Sequence, residues 1–317
     1  MTARASSARA AERVPFRLRP MLATLVDKPI DRPGWVVEEK YDGIRLVAYK
    51  EGRNVSLITR NDIDRAEDFP GVAATLAKLP APALALDGEV VIFDDAHVSR
   101  FGLLQRRDGA RAPVYVAFDC AYARGEDLRR RPLKERRAHL EREVRPDDAL
   151  AIARRISGTA SEAYEAARRL GLEGIIQKDE SSLYEEGTRS RAWLKVKLRN
   201  EDEFVIGGYT APTGARSHFG ALLVGAWDGD HLRYAGKVGT GFPERTLADL
   251  IRRFRSLVRP TSPFIDHVRE RDATWLEPTL VAQLAFTERT RDGKLRHPAF
   301  LGLREDKSAR DVTWSTG

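Results

Sequence analysis

An α+β fold in two domains is predicted by three features of this 317-residue sequence. Short segments rich in β-branched and aromatic residues alternate with helical patterns without a strict strand–helix–strand rhythm, which favours antiparallel sheets. Near residues 198–203 the texture changes to glycine-rich strands and turns with one helix, the pattern of a small closed barrel of the OB type. The chain is also long enough for two sizeable cores.

The elements follow in order. "WVVEEK" (35–40), "IRLVAYK" (44–50) and "VSLITR" (55–60) read as strands, the last two joined by a turn at "EGRN". "EDFPGVAATLAKL" reads as a helix interrupted near Pro70, followed by the strands "ALALDGEVVIF" and "VYVAFDCAY". "LKERRAHLEREV" is a helix, and "TASEAYEAARRLG" is another, opened by a Ser/Thr cap and closed by Gly171. The strands "GIIQK" and "WLKVK" finish this half. Beyond it, "EFVIGGYT" and "ALLVGAWDGDHLRYAGKVGTGF" supply strands and turns, "ERTLADLIRRFRSLV" the helix, and "LVAQLAFTERT" a final strand region before "LRHPAFLGLREDK". The expected division is a basic, disordered extension over 1–16, one domain over 17–200 and the barrel over 201–317.

Composition narrows the function classes. Without a run of about 18 apolar residues, no segment is expected to span a membrane. A single cysteine, Cys120, excludes an internal disulfide or a multi-cysteine zinc site and fits a reducing cytoplasm, the expected compartment. It lies in an apolar run and is assigned to the core. The opening "MTARASSARAAERV" lacks the continuous apolar stretch of a secretory signal. The net charge of +7 makes a polyanion partner plausible. The arginine run "RRRPLKERR" (129–137) reads as the solvated start of a helix.

The chemistry begins at "EEKYDGIR" (38–45), where Lys40 stands two residues before Asp-Gly. By itself this is a charged strand followed by a turn. Downstream, in order, come "LDGEVVIF" with Glu89, "VAFD" with Phe118, "LEGIIQK" with Glu173 and Lys178, "WLKVK" with Lys195 and Lys197, and "GLREDK" with Arg304, Asp306 and Lys307.

These pieces, in this order, resemble the nucleotidyltransferase motifs of the ATP-dependent DNA ligases and of the messenger-RNA capping enzymes. "MLATLVD", "GYTAPTGARSHFGALLVG", "YAGKVGTGF" and "LRHPAFLGLREDK" look like the ligase module of bacterial end-joining ligases, the DNA ligase D type. The resemblance runs from about residue 17 to 310 and through both domains.

It implies that Lys40 attacks the α-phosphate of ATP and carries AMP as a phosphoramidate. A lysine must be neutral to attack, and an exposed one with a pKa near 10.4 seldom is. Lys195 and Lys197, two apart on a strand, share a face and are expected to lower the pKa of Lys40 and to contact phosphates. Residue by residue, the resemblance implies that Glu38 reads the adenine amino group, that Arg45 contacts the ribose and that Arg60 lies near the phosphates. It places Glu89 near ribose and metal, Phe118 stacked on the base, and Glu173 beside the metal. Glu38 and Glu39 alternate in face, so one of them is expected to meet the nucleotide. Lys178 matches the end of its motif, whereas Gln177 departs from a usually small or apolar position and faces either the sheet interior or the cleft. Arg304, Asp306 and Lys307 are implied to swing over the nucleotide and help pyrophosphate leave.

ATP is therefore the expected AMP donor, with Mg2+ or Mn2+ neutralising the triphosphate through Glu89, Glu173 and waters. The six histidines are scattered and suggest no zinc. Nicked or broken double-stranded DNA is the expected substrate, and a monomer the expected state. A Ku-type end-binding partner and separate polymerase and nuclease modules are implied by the resemblance alone; two assigned domains leave no room for those modules here. Two competing readings share part of the evidence: an RNA ligase or capping-type enzyme, and a non-catalytic nucleic-acid-binding protein.

Overall fold

The structure, a computed structural model, describes residues 14–106, 111–198, 200–212, 218–270, 272–290 and 292–314, in two compact units, Met1–Leu198 and Arg199–Gly317. Residues 1–13 of the expected extension lie outside the described residues. Val14 is buried and the Phe16 ring centroid lies 4.9 Å from that of Tyr49, so this part of the expected extension is packed.

The first unit contains β1 (Leu22–Leu25), β2 (Trp35–Lys40), β3 (Ile44–Glu51), β4 (Asn54–Thr59), α1 (Pro70–Ala77), β5 (Ala83–Val91), α2 (Phe101–Arg106) and β6 (Val114–Ala123). It continues with β7 (Glu126–Asp127), α3 (Leu133–Glu143), β8 (Leu150–Ile152), α4 (Ala160–Arg169), β9 (Gly174–Asp179) and β10 (Arg189–Lys197). One sheet runs β1, β10, β9, β2, antiparallel except where β1 joins β10. The other runs β4, β3, β5, β6, β7, with β8 parallel beside β6. The proline expected to interrupt a helix instead starts α1, where its missing N–H costs no hydrogen bond.

Helix α4 opens with a capping box in which Thr159 and Glu162 satisfy each other's backbone N–H groups. Its Ala160, Ala163 and Ala167, spaced on one helical face, pack on Val37, Ile175 and Val196 of the first sheet. That covers one face of β2, β9 and β10 and leaves the opposite face for other work. The second sheet packs Leu46, Leu57, Leu86 and Tyr115 with Leu76 near the end of α1 and Leu140 of α3. Between β2 and β3 the chain crosses from one sheet to the other through Tyr41, Asp42 and Gly43. A Cβ on Gly43 would stand 2.1 Å from the Val90 carbonyl oxygen, so only glycine lets the chain pass this close to β5.

The second unit contains β11 (Glu201–Thr210), β12 (Leu222–Asp228), β13 (His231–Val238), α5 (Glu244–Phe254), β14 (Val258–Arg259), β15 (Ala273–Leu276), β16 (Val281–Ala285), β17 (Glu288–Arg289), β18 (Leu295–Arg296) and β19 (Ala299–Leu303). β12 lies between β13 and β11; β15 and β16 pair with different stretches of β11, and β19 pairs with β16. Just beyond β13, Thr240 bridges Ala299 of β19, and the Phe300 amide donates to the Thr240 carbonyl at 2.9 Å. The strands therefore close into the OB-type barrel. Leu247, Leu250 and Phe254 of α5 enter its core beside Phe204, Ile206, Val224 and Leu284. Among the described residues no helix is long and apolar enough to cross a membrane.

Candidate active site

Strand register assembles the site. Lys40 on β2 faces Gly174 on β9, and Gly174 faces Lys197 on β10. The next row on the same face is Glu38, Ile176 and Lys195, and the row after it Val36, Lys178 and Trp193. Residues two apart on a strand share a face, so Glu38, Lys40, Ile176, Lys178, Trp193, Lys195 and Lys197 all point away from α4. Gly174 has to be small, because a Cβ there would meet the Val196 carbonyl oxygen at 2.2 Å. Gln177 lies on the covered face, where its side-chain amide accepts from the Ile30 N–H at 3.1 Å and donates to the Ile30 carbonyl at 2.7 Å. It belongs to the sheet interior, not to the cleft.

Around Lys40 the charges are negative. Its ammonium donates to Glu173 Oε1, with Glu89 and Asp42 close enough to act on it. Asp42 is fixed by accepting from the Phe101 amide at 3.0 Å, and its own amide donates to Ser99 Oγ at 2.9 Å. Glu89 sits inside β5 opposite Arg45 and accepts from the Gly43 amide at 2.9 Å. Burial by itself would lower the pKa of Lys40, but the Glu173, Glu89 and Asp42 carboxylates outweigh it and raise the value. This corrects the expectation that Lys195 and Lys197 depress it. Lys197 is two strands away, with its backbone about 10 Å off, whereas Glu173 is in contact. Burial in turn raises the pKa of Glu173, against the pull of Lys40.

The other end of the face is built around Glu38. Its Oε1 accepts from Arg137 Nη1 at 3.2 Å and its Oε2 pairs with Lys178 Nζ at 2.7 Å. Glu39 turns the other way, toward Arg154 at 3.0 Å. The Lys178 ammonium lies 4.7 Å from the centre of the Phe118 ring and 4.3 Å from that of Trp193, within cation–π range of both. Arg45 spans Asp87, with Nε 3.0 Å from Oδ1 and Nη2 2.6 Å from Oδ2, donates to the Met21 carbonyl, and places its guanidinium 5.3 Å from the Phe118 ring. Burial would lower the Arg45 pKa; Asp87 reverses that and raises it. Tyr184 donates to Asp87 at 2.6 Å, so one buried carboxylate holds both groups.

The structure thus brings Glu38, Lys40, Arg45, Glu89, Phe118, Glu173, Lys178, Lys195 and Lys197 together in the first unit. Arg60 directly follows β4, at a turn braced by the Thr59 hydroxyl, which accepts from the Asn61 and Ile63 amides. Asp42, Asp87, Trp193, Tyr184, Ile176 and Arg137 were not singled out from the sequence. Of these, Asp42, Asp87, Ile176 and Trp193 stand inside quoted motifs, and strand alternation from Glu89 and Lys178 is the signal that finds Asp87 and Ile176. In the second unit, Arg304 grips Asp306 through Nε at 2.9 Å and Nη2 at 2.8 Å, and Lys307 donates to Glu203. Burial works against the charge on Asp306, yet Arg304 keeps its pKa below the usual carboxylate value. Burial lowers the pKa of Lys307.

A metal cage made by protein alone is not present: among the described residues no group of three or more His, Cys, Asp and Glu is placed to form one. Glu173 Oε2, however, is buried with no hydrogen-bond partner, and Glu173 and Glu89 both act on the Lys40 ammonium. Two carboxylates with an unsatisfied oxygen fit Mg2+ or Mn2+, which is commonly held by one or two carboxylates together with substrate phosphates.

The family model for the ATP dependent DNA ligase domain matches residues 20–197, and that for the ATP dependent DNA ligase C terminal region matches residues 215–307. The multifunctional non-homologous end joining protein LigD of Pseudomonas aeruginosa is 40% identical over 311 residues, covering 95% of this chain and 37% of that protein. The protein of the same name from Mycolicibacterium smegmatis is 34% identical over 284 residues, 88% of this chain and 37% of that protein. This chain spans less than half the length of these curated relatives. Among solved structures, the mycobacterial DNA ligase D complexed with ATP and MES is 32% identical and aligns with a TM-score of 0.70 over 95% of this chain and 100% of that one.

Proposed function

The chain belongs to the ATP-dependent DNA ligase family, and on that premise we propose that it seals breaks between a 5'-phosphate and a 3'-hydroxyl in duplex DNA through AMP carried on Lys40. The observation that carries the reading is the position of Lys40, at the crossing between two sheets, touching Glu173 and sharing a sheet face with Glu38, Lys195 and Lys197.

Three transfers follow. Lys40 Nζ attacks the α-phosphorus of ATP; the N–P bond forms, the bond to the bridging oxygen breaks, and pyrophosphate departs with the electron pair. Glu173, already in contact with the ammonium, is the group positioned to take its proton. A 5'-phosphate oxygen of the DNA then attacks the same phosphorus, the P–N bond breaks and Lys40 regains a proton. Finally the 3'-hydroxyl attacks the 5'-phosphate and AMP leaves. Glu38 and Phe118 hold the base, Arg45 the ribose, and Arg60, Lys195 and Lys197 the phosphates. Mg2+ or Mn2+ near Glu89 and Glu173, when bound, neutralises the triphosphate charge. Arg304, Asp306 and Lys307 of the barrel act on the departing pyrophosphate. Identity to the end-joining LigD proteins supports a place in double-strand break repair, with a Ku-type partner.

The test is to incubate the protein with labelled ATP or GTP and Mg2+ or Mn2+, denature it, and map the label. Label from ATP at Lys40, followed by sealing of a DNA nick, is the expected result. Lys40→Ala should abolish ATP-driven sealing and spare sealing of a nick that already carries AMP. Label from GTP alone would move the chain to the capping class, and preference for an RNA nick to the RNA ligases. No label, even after stripping the protein with pyrophosphate, would leave a binding module.

A further inference from the structure

The arginine run 129–137 is only in part the solvated helix start it resembles in the sequence: Arg130, Arg131 and Lys134 are exposed, but its last two arginines are buried. Arg136 is fully buried, with Nε and Nη2 each 2.8 Å from Asp119. Arg137 leaves the same helix in another direction and reaches Glu38 through Nη1 at 3.2 Å, the Ala153 carbonyl through Nη2 at 2.9 Å and Glu141 through Nε at 2.7 Å. Its side chain is 10% exposed, and those of Glu38 and Lys178 are 3% and 2% exposed. Removing two cations and a carboxylate from water costs several kcal/mol, roughly per ion, so the arrangement is an expensive way to hold a strand in place.

Its geometry suits a different task. Glu38 is the neighbour of Lys40 on the same face of β2, about 7 Å along the strand. A nucleotide whose α-phosphorus meets Lys40 has its base at Glu38 and Phe118. Each Glu38 oxygen is held by one cation from a different element, Arg137 from α3 and Lys178 from β9, which fixes the plane of the carboxylate. Each oxygen keeps a lone pair for one more donor. An amino group at purine position 6 can donate to it. A 6-oxo group sets acceptor against acceptor in a buried site, and neither is satisfied.

We propose that Arg137 is a positioning residue that sets nucleotide choice, holding Glu38 so that 6-amino purines are accepted and 6-oxo purines rejected. This rests on the reading of Lys40 and Glu38 given above. Arg137 touches neither base nor phosphate in this scheme; it acts through Glu38.

The experiment measures kcat/KM for formation of the lysyl-nucleotide with ATP, ITP and GTP, in the wild type, Glu38→Gln, Arg137→Met and Arg137→Lys. Arg137→Met should reduce the preference for ATP over ITP by about tenfold or more, mainly through KM for ATP, because the carboxylate is free to turn. Arg137→Lys keeps the charge and loses the rigid fork, and should recover part of that preference. An equal loss with ATP and ITP would mark a purely structural role and overturn the proposal. If Arg137→Met does not fold, Arg137→Lys decides alone, and wild-type preference in it overturns the proposal. Undiminished preference in Glu38→Gln removes the role of Glu38 and the inference with it. Absence of label at Lys40 in the wild type overturns the underlying ligase reading instead.

Discussion

Lys40 donates to Glu173, and that contact, together with Glu89 and Asp42, keeps the nucleophile an ammonium ion before nucleotide binds. Burial alone would favour the neutral amine, but three carboxylates in reach outweigh it. The reactive form is thus scarce at neutral pH. Below its raised pKa, the neutral fraction of a lysine grows tenfold per pH unit. Single-turnover formation of lysyl-AMP should therefore climb with pH, with a slope approaching one in log rate between about pH 7 and 9. Rapid-quench measurement across that range checks it, and a flat profile would show that losing the proton does not limit the step.

Gly174 separates Lys40 from Lys197 across the sheet. Gly174→Ala puts a methyl group 2.2 Å from the Val196 carbonyl oxygen, so β10 has to shift relative to β9. Overpacking of this kind costs about 1–3 kcal/mol of stability. Label transfer to Lys40 should fall by roughly a hundredfold, as expected when reacting groups move by about an ångström. Thermal unfolding and label formation, measured on the same preparation, separate the two effects. A variant with lowered stability and full transfer would show that the spacing of this row is not critical.

The barrel cluster should matter in one transfer and not in the others. Lys307 pairs with Glu203, and Arg304 with Asp306, inside the second unit. If these cations act on pyrophosphate, Lys307→Ala should slow formation of lysyl-AMP by about a hundredfold, the usual scale for losing one charge-stabilising donor. Sealing of a nick that already carries AMP should change little. Equal slowing of both reactions would instead place Lys307 on the DNA.

Local signals made much of the site legible. Glu38 and Glu39, and Lys195 and Lys197, stand in short strands whose alternation assigns their faces. Gln177 resisted the same logic, because alternation sets its face relative to Lys40 but does not say which face α4 covers. Arg136 and Arg137 were misread for a related reason. A run of arginine and lysine around a proline looks solvated until the partners are known, and these lie 17 residues away at Asp119 and 99 residues away at Glu38. The charge state of Lys40 was misjudged because the sequence shows two lysines two residues apart in one strand but no distances. Across two strands their field is weaker than that of a carboxylate in contact.

The sequence by itself determined the periodicities, the turn and cap residues, the change of texture near residue 200 and the order of the motifs. All of these are set by interactions within a few residues of chain, or by composition. The tertiary structure decided which charges are neighbours, which face of the first sheet is covered, and which arginines are buried. Those depend on strand register and on packing between elements far apart in the chain. Coulomb energy and desolvation vary steeply over a few ångströms, and such distances exist only once the strands have paired.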